Sequence, residues 1–357
     1  MPDYLGDLAQ QQWQARYSGE PPATWHWVLK TNGAHAAHNN LLLFGFADAG
    51  RQQDASAQPA LVAKICRTPR HSHTLQTEYI RLVQLWRALG ERAAGRAPRP
   101  LALTQHGADL ALLMTYCPGA PLLTAPAHFW QDQAQVAKLL RQASVWLRQL
   151  HQNAAQPNAV GMVDNASAQE ADFGRKADAF AGIFPLSPAA QAELSHLTRQ
   201  VTQAQADAAG CTLLQGDFWP GNVLLLAAAP GETAPSMTLV DWQFSRWDGH
   251  TTLDVYLFIL VCAVKSAVYT PSYADRAQRA AQILLSWRAS LLPTYLDAYE
   301  PPMLCRLLPP RAGILACCVE LAVRPYLAFG VMQPDAQQWQ TLFSEISRLW
   351  PAESGTG

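Results

Sequence analysis

Two short stretches hold the residues with chemical potential. LLQGDFWPGNVLLL places Asp217 and Asn222 five residues apart, with Pro220 and Gly221 turning the chain between them. In MTLVDWQ a strand-like run delivers Asp241 at its C-terminal end. A β-hairpin joining these pieces brings Asp217, Asn222 and Asp241 to one mouth. Phosphoryl transfer needs such a group. One carboxylate must orient the attacking hydroxyl and accept its proton, while a second carboxylate and an amide oxygen hold Mg²⁺ against the phosphates.

The elements that must position these residues follow from periodicity. WHWVLK, LLLFGFAD, ALVAKICR and LALLMTYC are short apolar runs bounded by Gly, Asn, Asp or Pro, and they read as strands. Between the third and fourth lies HTLQTEYIRLVQLWRALG, where Leu75, Tyr79, Leu82, Trp86 and Leu89 recur at helical steps and Gly90 offers a stop. YCPGAPL, from Tyr116 to Leu122, is a Pro/Gly turn and a natural boundary. Beyond it QVAKLLRQASVWLRQLH is helical, CTLLQ, VLLLA and MTLVD are strand-like, and the chain after Asp248 is helical. The expected fold class is therefore α+β and bilobal. Residues 1–115 form a small strand-rich lobe, 116–122 a hinge, and 123–357 a larger, mostly helical lobe.

In that context QGDFWPGN followed by VDW resembles the catalytic and metal motifs of the aminoglycoside phosphotransferase and choline kinase-like family, which shares the protein-kinase fold. The similarity runs from about Trp25 to Leu257. It implies Asp217 as base, Asn222 and Asp241 as Mg²⁺ ligands, and Asp254 in TTLDVYLF as a brace of the catalytic loop. A kinase-like fold also needs a strand lysine for the α- and β-phosphates and a helix glutamate to hold it. Lys64 and Glu78 stand in those places. Met114, Thr115, Tyr116 and Cys117 match the hinge that offers backbone groups to adenine. The loop TNGAHAAHNN takes the place of the phosphate-covering loop, with Gly33 its single glycine, and His35 and His38 read as solvated loop residues. His151 matches the family's Leu-His helix ending and reads as a helix cap.

The resemblance implies an ATP- and Mg²⁺-dependent kinase acting on a hydroxyl of a small molecule, such as a sugar, an amino alcohol or an aminoglycoside-like compound. One departure stands out. The family usually has His two residues before the base, and here it is Gln215, which retains a donor and an acceptor. It keeps open a second reading, a nucleotide-binding pseudokinase without turnover. A protein kinase is disfavoured, because no Ala-Pro-Glu-like segment follows Asp241.

Composition narrows the remaining classes. The 357 residues are 49% hydrophobic and 15% charged, with a formal net charge of -1, so a sizeable core is available and no basic field exists to hold nucleic acid. The N-terminal segment lacks the basic and apolar regions of a secretory signal. Leu253 to Val264 is too short to span a bilayer, and Arg311 to Met332 is interrupted by Glu320, Arg324 and Pro325, so a buried core helix is expected there. The seven cysteines include no CxxC pair, consistent with reduced thiols in a cytoplasmic protein. From Val255 onward there is no acidic surplus of the kind a polycationic acceptor calls for.

Overall fold

A computed structural model describes residues 2–16, 24–30, 40–47, 58–66, 68–69, 72–157, 172–208, 210–226, 236–267, 270, 272–301 and 306–351. The segment with Gly33, His35 and His38 lies outside them. The chain divides into two compact units, Met1–Ala120 with Leu224–Phe244, and Pro121–Val223 with Ser245–Gly357.

In the first unit, helix α1 (Pro2–Arg16) precedes strands β1 (Trp25–Lys30), β2 (Leu41–Ala47) and β3 (Leu61–Cys66). Helix α2 (Ser72–Leu89) follows, then β4 (Pro100–His106) and β5 (Asp109–Thr115). The five strands form an antiparallel sheet in the order β1-β2-β3-β5-β4. Side chains alternate across a strand, and β3 uses both faces. Leu61, Ala63 and Ile65 join Leu5 and Ala9 of α1, with Leu101, Ala111 and Leu113, in one core cluster. Lys64 therefore points to the opposite face, in register with Leu42 and Leu112 on the flanking strands.

Helix α2 is turned from its expected face. Leu75, Leu82 and Leu89 are buried as expected, but so are Glu78, Arg81 and Leu85, while Tyr79 and Trp86 are only half-buried. The pairing of Glu78 with Lys64 draws the helix round, an effect that apolar spacing does not register. After β6 (Ala120–Pro121), the first unit is completed by β9 (Val223–Leu226) and β10 (Ser236–Leu239). The Leu239 N–H donates to Arg96 O at 2.8 Å, tying this late segment to the end of α2's connection.

The second unit is mostly helical. Helix α3 (Ala127–Gln131) leads into α4 (Gln133–Ala154), whose N-terminus is capped by Asp132 accepting from the Ala134 and Gln135 N–H groups. Val136, Leu140, Ala143, Leu147 and Leu150 form its buried stripe. Then come β7 (Gln156–Pro157), α5 (Phe173–Ile183), α6 (Pro188–Ala206), β8 (Gly210–Leu214) and β11 (Arg246–Asp248). The helices α7 (Thr252–Ser266), α8 (Tyr273–Trp287), α9 (Leu291–Tyr299), α10 (Pro310–Phe329) and α11 (Ala336–Leu349) complete the chain. Strand β8 pairs with β11 and β7, whereas β9 and β10 lie side by side in another sheet. The expected hairpin thus holds only for β9 and β10. Gly216, at φ 77°, and the Pro220-Gly221 turn take the chain out of the β8 ladder before β9 begins.

Helix α10 has the length and hydropathy of a membrane span, yet two-thirds of its most apolar window is buried inside the protein. It is a core helix, as its interrupting charges suggest, and those charges have partners of their own.

Candidate active site

The sequence-predicted residues fall into two groups, one built within each unit. In the first unit Lys64 Nζ donates to Glu78 Oε1 and Oε2 at 2.7 and 2.8 Å and to Asp241 Oδ1 at 2.9 Å. Glu78 also accepts the Trp242 N–H at 3.2 Å, so one buried carboxylate holds both the lysine and the chain just after Asp241. Asp241 itself has φ 62°, a left-handed conformation rare for a residue with a side chain. Such strain persists where surrounding contacts over-determine it, and it collects at functional sites.

One ammonium here serves two carboxylates. Burial works against the Lys64 charge, but Asp241 and Glu78 outweigh it and hold the lysine's pKa above its ordinary value. Burial raises the Glu78 pKa, Asp241 adds to the rise, and Lys64 opposes it. Asp241 is the most accessible of the three, with its side chain 31% exposed. Met114 and Thr115 close β5, and the Tyr116 N–H donates to Ala60 O at 2.9 Å. Cys117 is buried, which pushes its thiol up to about 12, so it is an inert side chain on this segment.

In the second unit the loop from Gln215 to Asn222 is held at every turn. The Gln215 and Gly216 N–H groups donate to Asp254 Oδ2 and Oδ1, both at 2.8 Å. Gln215 Oε1 accepts the Asp217 N–H at 2.8 Å. The amide in the usual histidine's place therefore performs a loop-holding bond. Asn222 Nδ2 donates to Asp217 Oδ2 at 2.8 Å and to Asp217 O at 3.1 Å. Gly221 lies under the Trp219 ring, where an added Cβ would come within 2.4 Å of ring atoms, so a larger residue there would have to displace the ring.

His151 departs from expectation. It is fully buried, and its ring bridges Tyr299 Oη at 2.7 Å and Asp254 Oδ2 at 3.1 Å. Its side chain turns into the core to support Asp254, rather than capping the end of α4.

Four residues that sequence reasoning did not assign complete this group. Arg324 Nη1 donates to Asp217 Oδ1 and its Nη2 to Gly216 O, both at 2.7 Å, while its Nε reaches Glu320 Oε1 at 3.1 Å. Glu320 Oε2 accepts from Lys176 Nζ at 2.6 Å, and Arg246 stands 3.8 Å from Oε1. Although burial opposes its charge, Lys176, Arg324 and Arg246 hold the Glu320 carboxyl well below the usual range. One carboxylate cannot satisfy three cations equally. Burial, joined by the Arg246 and Arg324 charges, outweighs Glu320 and brings Lys176 down to about 8. The available signal was the i,i+4 pair of charges inside an otherwise apolar helix.

Each unit offers an oxygen donor of the kind a hard divalent cation takes. Asn222 uses its amide nitrogen toward Asp217, and among the described residues no donor reaches its Oδ1. In the first unit Asp241 offers a partly exposed carboxylate, and Lys64, Glu78 and Asp241 together carry an excess negative charge. Among the described residues no cluster of three or more His, Cys, Asp and Glu side chains forms a self-contained metal cage.

The family model described as "Phosphotransferase enzyme family" matches residues 50–299. The chain belongs to the phosphotransferase enzyme family. No curated protein matches the sequence. Among solved structures, this phosphotransferase chain is similar to a Ralstonia eutropha jmp134 protein assigned as an aminoglycoside phosphotransferase, with 11% identity, TM-score 0.55 and 96% of each chain covered. It is also similar to the GDP complex of wild-type aminoglycoside 2'-phosphotransferase-IIIa, with 12% identity, TM-score 0.51, and 95% of this chain and 97% of that one covered. These likenesses show a protein-kinase-like phosphotransferase fold.

Proposed function

We propose that this phosphotransferase transfers the γ-phosphate of ATP to a hydroxyl group of a small molecule in the cytoplasm. The observation that carries this reading is the binding of Lys64 to both Glu78 and Asp241 in a chain of this family. Lys64 would bind the α- and β-phosphates, with Glu78 fixing its position. The backbone of Met114–Cys117 would receive adenine; among the described residues no partner takes the Cys117 N–H. Asp217 would orient the acceptor hydroxyl and take its proton. Asn222 and Asp241 would hold Mg²⁺, which supplies charge neutralisation at the phosphates.

The two proteins of like fold are named for aminoglycosides, but no acidic surplus follows Val255 here, so sugars and amino alcohols are equally fitting acceptors. The bond from Gln215 to the Asp217 N–H favours an active enzyme over a pseudokinase. The test is a thermal-shift titration with Mg-ATP followed by ADP release across a panel of hydroxyl compounds. ATP-dependent stabilisation with acceptor-dependent ADP release supports the reading, and stabilisation without ADP release from any compound or from water would favour the pseudokinase.

A further inference from the structure

The contacts of Arg324 have a pattern that a structural ion pair does not need. Its three bonded nitrogens go to three different places: Glu320 Oε1, Asp217 Oδ1 and the backbone carbonyl of Gly216. A guanidinium is rigid and planar, so fixing one nitrogen fixes the direction of the others. Glu320 is the fixed end. It sits one turn back on the same helix and is itself bonded to Lys176 at 2.6 Å. The other two nitrogens then grip the loop at two adjacent residues, 2.7 Å from each.

We propose that Arg324 is a positioning residue for the Asp217 carboxylate, set by the buried Glu320–Lys176 pair behind it. The proposal rests on reading Asp217 as the base. The terminal torsion of an Asp side chain is broad, so an untethered carboxylate would sample many orientations. Here both oxygens are tethered, Oδ1 by Arg324 at 2.7 Å and Oδ2 by Asn222 at 2.8 Å. These two tethers set the direction in which the carboxylate meets an acceptor hydroxyl. Phosphoryl transfer through a loose transition state depends chiefly on positioning, and a misplacement of ~1 Å can cost about 100-fold. A device that fixes direction therefore acts on kcat.

The test uses the full chain with Arg324→Gln, Arg324→Lys and Arg324→Ala. Removing Arg324 leaves Glu320 bonded to Lys176, so the Gln variant is expected to fold. Amide hydrogen exchange of Gly216–Asn222 should quicken ~10-fold or more in Arg324→Gln, while β8 and α7 exchange as before. In ADP release from Mg-ATP with water as acceptor, kcat should fall ~100-fold with the KM for ATP within about twofold. Arg324→Lys should fail similarly, because one ammonium cannot reproduce the fork. Guanidinium ion at sub-denaturing concentration should restore activity several-fold in Arg324→Ala alone, a rescue that a folding defect would not show.

Unchanged loop exchange, or kcat within about threefold of wild type, overturns the proposal. If wild type releases no ADP with water or with any compound of the hydroxyl panel, the reading of Asp217 as base fails, and the exchange experiment still decides whether Arg324 holds the loop. If Arg324→Gln does not fold, the triple replacement of Lys176, Glu320 and Arg324 by Met removes the ion cluster as a unit. Wild-type turnover in that variant refutes the role, and a ~100-fold loss supports it.

Discussion

Asp254 accepts the Gly216 N–H on Oδ1 at 2.8 Å while its other oxygen takes the neighbouring Gln215 N–H. Gly216 has φ 77°, which turns these two successive N–H groups toward one carboxylate. Asp254 is fully buried in the first turn of α7, and His151 and Tyr299 form a chain of bonds behind it. The loop that bears Asp217 is thus anchored from beneath by Asp254.

Replacing Asp254 by Asn leaves only one oxygen for two N–H donors. A buried donor without a partner costs about 1–3 kcal/mol. Chemical denaturation of Asp254→Asn should show a loss of that size. Hydrogen exchange should quicken at Gln215 and Gly216 before it does elsewhere, and a loss spread evenly over the helical unit would argue against this anchoring.

Asp217→Asn tests the base directly. Arg324 can still donate to the remaining amide oxygen, but the amide nitrogen cannot accept from Asn222, so the fold should persist with a stability loss of about 1–3 kcal/mol. Acceptor-dependent ADP release should drop by about 100-fold or more, the usual contribution of a positioned base. Turnover equal to wild type would remove Asp217 from the mechanism.

Lys64 is expected to matter to both stability and nucleotide binding. In Lys64→Met, Glu78 stays fully buried without its cation. Breaking a buried pair in this way costs about 3–5 kcal/mol. Adding Glu78→Gln should recover part of that stability, yet the thermal shift with Mg-ATP should remain absent in both variants. A normal Mg-ATP shift in the double variant would show that Lys64 does not bind the phosphates.

The three cations around Glu320 predict a pH dependence. The Lys176 ammonium has its pKa brought from 10.5 down to about 8 in the folded protein. Between those values the unfolded chain holds a proton at Lys176 that the folded chain lacks. This group therefore makes stability rise as pH climbs through that window. Comparing urea unfolding of wild type and Lys176→Met from about pH 7.5 to about pH 10 should show wild type gaining on the order of 2 kcal/mol relative to the variant, at ~1.4 kcal/mol per unit. A constant difference would mean that Lys176 keeps its proton throughout.

Much of the site could be read from residue types alone. Lys64 and Glu78 are fourteen residues apart and meet as expected, because a strand, a turn and one helical turn leave little choice of geometry. Asp217 and Asn222 are brought together by the short Pro220-Gly221 turn, which is equally local. Gln215 keeps the loop-holding bond because an amide offers an acceptor where the family has an imidazole. Asp254 braces the loop as the resemblance implies. The order of these motifs was enough to indicate the kinase-like fold.

Tertiary structure alone decided the rest. Arg324 is 107 residues from Asp217, and Lys176 is 144 from Glu320. Periodicity and spacing describe what neighbours along the chain can do; they do not say which distant helix face comes to rest against the loop. The rotation of α2 toward Glu78 and the inward turn of His151 have the same origin. A buried charge must find its partner wherever packing places it, because leaving it unpaired costs more than turning a helix or a ring. The sequence thus specified the chemical groups and their order, while packing decided what grips Asp217 and holds it still.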